Sequence, residues 1–150
     1  MIDAFNVITT VEVALSGGVV LEGRDGCFRD IAGVHGTYRQ VEETTPALLL
    51  LGTSLCELEV ASCCWQLDQP VSNSGRLRQQ LLKISDQYGW GYRAELIPNP
   101  DKVISQSKNV AVSSDSGVLD ACGWWFNLVR HLVESKIPQA WIIPLGAGGE

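Results

Sequence analysis

The sequence predicts an α/β fold: a three-layer sandwich with a mainly parallel central sheet and a small β-hairpin insertion. Three observations carry this expectation. Strand-like apolar runs alternate with segments of helical periodicity, the order that builds parallel sheets through right-handed crossovers. The run EVASCCWQL before Asp68 is mostly apolar rather than alternating, as in a strand covered on both faces. Finally, GRDG separates two short strand-like runs, and Asp25-Gly26 suits the positive φ values of a tight hairpin.

Residues 5–15, FNVITTVEVAL, fit either a strand or the first turns of a helix. Residues 19–22 and 27–31 form the two arms of the hairpin. Thr45 followed by Pro46 marks a cap and first turn for a helix over 46–58. A buried strand is expected over 59–67. Ser74 or Asn73 caps the next helix over 76–88, in which Leu77, Leu81, Ile84 and Tyr88 recur at helical spacing and which Gly89 and Gly91 end. Residues 92–97 read as a strand, 98–106 as a short link or helical turn starting near Asp101, and 109–113 as another buried strand. A long helix is then expected from Ser114 through Glu134, with Trp124 and Trp125 packing inward. Residues 139–145 close the fold as a strand, and 146–150 form a frayed tail.

A chain of 150 residues, 45% of them hydrophobic, is enough for one domain with a sizeable core. Its formal charge of −6 argues against nucleic-acid binding by a basic surface alone, but leaves room for an acidic metal site. Five cysteines, an odd number with Cys63 and Cys64 adjacent in an expected strand, disfavour a disulfide framework and fit a reducing, cytoplasmic setting. No Cys-x-x-Cys pair occurs, and His35 and His131 are far apart, so a structural zinc site gains little support. The longest apolar run is too short to span a bilayer, which excludes a membrane partner of that kind.

Three expected strands end at an aspartate: Asp3, Asp68 and Asp115. If the strands are parallel, these acids share one edge of the sheet, where ligands bind in such folds. Asp120, about one and a half helical turns beyond Asp115, points roughly toward the same place. Converging carboxylates repel one another unless Mg²⁺ or Mn²⁺ neutralises them, and such clusters hold metals for in-line phosphodiester hydrolysis. Ser72, Asn73, Ser74 and Gly75 form a small-residue loop entering a helix, an arrangement that offers backbone N–H groups to an anion, with Arg76 and Arg78 close by.

Each feature also has a plain structural explanation. Asp is common at strand ends and caps for local hydrogen-bond reasons, and Ser74 as a simple cap is as good a reading as phosphate contact. Asp25 is accounted for by its turn, and Asp30 has only Arg29 beside it to recommend it. Glu12 faces the acids only if residues 5–15 are helical. His35 reads as a loop residue, His131 as a surface residue near a helix end, and Trp124-Trp125 as core rather than a base-stacking platform.

Taken in order, the motifs resemble those of a known superfamily. IDAFNV, with Asp3 and Asn6, is similar to the Asp-Gly-x-Asn opening of NYN-type nucleases in the PIN-like superfamily. WQLDQP resembles the strand and Asp-x-Pro segment of the related flap-endonuclease-like group. VAVSSDSGVLD resembles the later strand that ends in Ser/Thr-x-Asp and continues to a second acid, here Asp115 and Asp120. The chain is most similar to an uncharacterised prokaryotic family with an Asp-x-Pro-x-Ser-Asn-Ser-Gly motif. The resemblance implies a PIN-like fold and metal-dependent nuclease chemistry. Two departures stand out: Ala4 replaces the glycine of the opening, and only Met1 and Ile2 precede Asp3, so the expectation is a chain that starts late and lacks upstream residues of the first strand.

The resulting expectation is a nuclease, acting on RNA ahead of DNA. Asp3, Asp68 and Asp115 are its catalytic metal ligands, Asp120 and Asn6 assist, and Ser72, Asn73, Ser74, Arg76 and Arg78 position a substrate phosphate. The rival is a non-catalytic module on the same fold that binds a nucleotide or a protein.

Overall fold

The computed structural model describes residues 1–32 and 36–146; His35 and the last four residues of the expected tail lie outside them. The chain is a mixed α/β structure with two three-stranded sheets among the described residues. The first sheet has the order β1 (Ile2–Asp3), β4 (Cys64–Asp68) and β5 (Arg93–Ile97), all parallel. The second has the order β3 (Phe28–Asp30), β2 (Val19–Glu22) and β6 (Trp141–Pro144), with β2–β3 antiparallel and β2–β6 parallel. The expected hairpin is therefore present. The closing strand is present too, but it extends the hairpin's sheet rather than the central one.

Residues 4–16 resolve their ambiguity as helix α1 (Ala4–Ser16). Ala4, Val7, Ile8, Val11 and Ala14 recur at three- and four-residue spacing and are fully buried. Gly17, with φ of 80°, ends the helix in the left-handed conformation that glycine adopts without a Cβ penalty. Helix α2 (Thr44–Glu57) starts two residues before the expected position. Neither Thr45 nor any other side chain caps it: Thr45 lies within the helix and its Oγ1 accepts from Gln80 Nε2 at 2.7 Å, while Thr44 Oγ1 accepts from Val41 N–H at 3.0 Å and donates to Glu12. Helix α3 (Ser74–Tyr88) ends at Gly89 as expected.

The strand expected over 59–67 begins only at Cys64. Residues 58–60 instead finish α2 in a Schellman arrangement: Glu59 N–H bonds Cys56 O at 2.9 Å and Val60 N–H bonds Leu55 O at 3.2 Å. Within β4, Trp65 and Leu67 join the main core with Ile2. On the opposite face Gln66 reaches Met1 Sδ, and Met1 packs on the second cluster of Ile104, Ala111 and Val118. Helices thus cover both faces of this sheet, which explains the nearly continuous apolar run. Of the link or helical turn expected near Asp101 the structure has the helical form, α4 (Pro100–Gln106), which packs on β1 and β4.

The expected long helix is broken into α5 (Ser116–Ala121) and α6 (Leu128–Lys136). The segment between them runs beside Ala111: Ala111 N–H bonds Trp124 O at 2.8 Å and Phe126 N–H bonds Ala111 O at 2.9 Å. Backbone groups committed across a sheet edge cannot also bond four residues along a helix, so the two conformations exclude each other. Residues 109–113 are not a regular strand, but Val112 exchanges two backbone bonds of 2.9 Å with Met1 and Asp3 and bridges Ile2 in parallel. Trp124 and Trp125 do not pack inward as expected; they are 74% and 40% exposed. Trp124→Ser is accordingly expected to change unfolding stability by less than about 0.5 kcal/mol. A urea melt that loses more than about 2 kcal/mol would instead place the ring in a core.

Candidate functional site

The sheet register and the helix starts decide which acids meet. Asp3 ends β1, opposite Gln66 in β4, and therefore shares a face with Gln66 and, two residues on, Asp68. Asp115 caps α5, its Oδ1 accepting Val118 N–H at 3.0 Å. Asp101 lies in the first turn of α4, directly after β5 ends at Ile97. Parallel strands put these positions at one sheet edge.

There Asp3, Asn6, Arg29, Asp30, Asp101 and Asp115 line an open cavity of about 360 Å³. Asp3 is its innermost acid, 9% exposed. Its pKa is raised from 3.8 to about 7, chiefly by burial, with the Ser113 hydroxyl working in the opposite direction and the charges of Asp101, Asp115 and Asp68 adding to the rise. Asp101 is also raised, first by burial and then by Asp115 and Asp68.

The 113–115 turn is held by three other elements. Ser113 Oγ donates to Asp3 Oδ2 at 2.8 Å and accepts Asp115 N–H at 3.0 Å. Ser114 N–H donates to Asn6 Oδ1 at 2.7 Å, and Ser114 O accepts from Arg29 Nε at 2.7 Å. Asn6 is thus close to the acids, as expected, but its side-chain oxygen anchors the loop that carries Asp115. Asp30 accepts from Thr9 at 3.2 Å, Thr10 at 2.9 Å and Ala32 N–H at 3.0 Å.

Other expected site residues are placed elsewhere or occupied. Asp68 is near enough for its charge to bear on Asp3 and Asp101, yet it does not line the cavity. Asp120 is exposed on α5 and does not line it either. The Ser72–Ser74 loop docks on the segment before α2: Ser72 N–H bonds Gly36 O at 2.9 Å, Tyr38 N–H bonds Ser72 O at 3.3 Å, and Asn73 Nδ2 bonds Tyr38 O at 2.8 Å. Asn73 occupies the cap position of α3 with φ of 68° and no side-chain cap bond, and Ser74 Oγ bonds Gln69 O at 3.4 Å, so neither caps as expected. Arg78 Nε donates to Ala94 O at 2.7 Å, tying α3 to β5, and Arg76 is exposed. Glu12 lies on a helix but turns away from the acids, accepting from Tyr38 at 2.9 Å and from Thr44. Burial is the main reason its carboxyl pKa is raised.

Sequence reasoning missed Asp101 and Arg29. Asn99, Pro100 and Asp101 together look like an ordinary helix start, and Asn99 does cap α4 through Lys102 N–H at 3.3 Å. The available signal was position: a helix that starts just after a parallel strand begins at the edge where Asp3 ends.

A larger cavity of about 450 Å³ lies at the opposite, amino-terminal ends of the strands. Its walls are mainly apolar, from Leu55, Leu58, Val60 and Val110, and burial pushes the Cys63 and Cys64 thiols up, away from reactivity. Chemistry therefore favours the smaller, acidic cavity over the larger one.

Among the described residues, no three of His, Cys, Asp and Glu stand close enough to hold one metal ion as they are. The donor set still suits a hard dication: carboxylate, hydroxyl and amide oxygens, around a buried acid whose strongest charged neighbours are also negative. All five cysteines are free, and no helix among the described residues is long and apolar enough to cross a membrane.

The chain is 27% identical over 118 residues to an uncharacterized protein of Methanocaldococcus jannaschii, a match that covers 79% of the chain and 56% of that relative. It thus spans little more than half the length of the curated relative. No solved structure matches it. The profile described as Domain of unknown function (DUF5616) matches residues 1–131, most of the chain, and the protein belongs to that family.

Proposed function

We propose that the protein is a Mg²⁺- or Mn²⁺-dependent nuclease of PIN-like fold that hydrolyses phosphodiester bonds, in RNA ahead of DNA. One observation carries this reading: Asp3 is buried at the base of an acidic cavity with Asp101, Asp115 and Asp68 around it, an arrangement that is unfavourable until a cation enters. Asp3, Asp101 and Asp115 would hold the metal, with Asp68 adding charge behind them. When bound, the metal supplies charge neutralisation and an activated water. Ser113 orients Asp3, while Asn6 fixes the backbone that presents Asp115. The free thiols agree with a reducing, cytoplasmic setting.

The spacing of the acids favours a second reading, a non-catalytic binding module, because no three of them gather on one point. Thermal melts with Mn²⁺ separate the two. At saturating Mn²⁺, taken as a hundredfold above its dissociation constant, the native chain should gain about 2.7 kcal/mol, or roughly 5–10 °C in Tm. Asp68→Asn combined with Asp115→Asn should remove that gain, and Mn²⁺-dependent cleavage of single-stranded RNA should fall at least tenfold, about 1.4 kcal/mol of barrier. An equal Mn²⁺ response in both proteins refutes the metal site. A native chain that binds Mn²⁺ and cleaves nothing is the binding module.

A further inference from the structure

We propose that Arg29 forms an anion subsite in the acidic cavity and receives a phosphate of the nucleic-acid strand, a role that rests on the nuclease reading above. Arg29 is the cationic side chain among the residues lining the cavity, which it shares with Asp3, Asp101 and Asp115. The position is built rather than incidental. Asp25 grips the guanidinium through two bonds, Nη1 to Oδ1 at 3.0 Å and Nη2 to Oδ2 at 2.7 Å. Cys27 N–H holds Asp25 Oδ1 at 3.0 Å, so the carboxylate that aims Arg29 is itself fixed. Gly23 leaves the path open: a Cβ there would lie 2.4 Å from Arg29 Nη1.

A guanidinium has five N–H groups. Three are used by Asp25 and Ser114, and one on each Nη remains, on a side chain that is 32% exposed. An anion docked there lies beside the loop that carries Asp115, because Arg29 Nε already bonds the Ser114 carbonyl. A cavity lined by carboxylates and by a fixed guanidinium suits a phosphate that meets a bound metal. The basic residues of α3 do not line this cavity.

The test is the anisotropy of an end-labelled single-stranded RNA decamer, with Ca²⁺ in place of Mn²⁺ so that binding is read apart from cleavage. Arg29→Gln should weaken binding about tenfold or more, the loss of one charge-assisted contact, and flatten the salt dependence by about 0.7 in log–log slope. Its Mn²⁺-induced rise in Tm should match the native chain. Gly23→Ala, which keeps the charge but displaces Nη1, should weaken RNA binding in the same direction. Unchanged RNA affinity in Arg29→Gln overturns the subsite. So does loss of the Mn²⁺ response together with RNA binding, since Arg29 would then act only through Ser114. A native chain that fails to bind the decamer at all refutes the nuclease reading instead.

Discussion

In metal-free buffer, Asp3→Asn is expected to make the protein more stable at pH 8 than the native chain, and by much less at pH 4. The Asp3 carboxyl titrates at about 7 in the fold and at about 3.8 when unfolded. Below 3.8 both states are protonated. Between 3.8 and about 7 only the folded state keeps the proton, so native stability falls as pH rises through this window, and above it this group adds no further slope. The difference corresponds to on the order of 4 kcal/mol. Asn keeps the acceptor for the Ser113 hydroxyl and removes the charge that Asp101, Asp115 and Asp68 oppose. Urea melts of both proteins at pH 4 and pH 8 read the effect directly. Parallel pH dependences would show that Asp3 is not held in an unfavourable ionised state. The expected outcome is a protein that gains stability while losing its response to Mn²⁺, the pattern of a residue kept for function.

Gly52→Ala is expected to destabilise the fold by about 2–3 kcal/mol, lowering Tm by roughly 5–10 °C. Helix propensity alone predicts the opposite, a gain of about 1 kcal/mol for alanine inside a helix. The difference comes from Trp90, whose ring lies against the Gly52 backbone: a Cβ there would be 2.2 Å from Cη2 and Cζ3. The ring has little room to retreat, since it stacks on Tyr88 at 4.9 Å and Tyr92 at 5.4 Å, and Tyr92 contacts Trp65 at 5.8 Å. That aromatic row joins α2 to the end of α3 and the start of β5. Trp90→Phe in the Gly52→Ala background should recover part of the loss by giving the methyl space. A more stable Gly52→Ala protein would show that the ring can move aside.

The parts of the fold that were legible in the sequence depend on near neighbours. The β2–β3 hairpin follows from Asp25-Gly26 and two short apolar arms. The end of α3 follows from Gly89, and the burial of β4 from its apolar run. Asp3 and Asp115 could be nominated because each follows a strand-like run, and the cavity they line bears out their proximity but no role. The break between α5 and α6 was not legible. Residues 114–134 have a helical pattern, and only pairing with Ala111, more than ten residues earlier, makes 124–126 extended.

The sequence by itself determined the alternation of elements, the hairpin and the acidic endings of strands, because short-range sterics, capping and hydrophobic period fix them within a few residues. Only the tertiary structure decided that Asp101 joins Asp3 and Asp115, that Arg29 reaches them from the second sheet, and that the 72–74 loop is spent on Gly36 and Tyr38. Those outcomes rest on contacts between residues distant in the chain. Asp115 and Arg29 are brought together by the packing of two sheets, and no local pattern in either segment specifies which sheet lies against which.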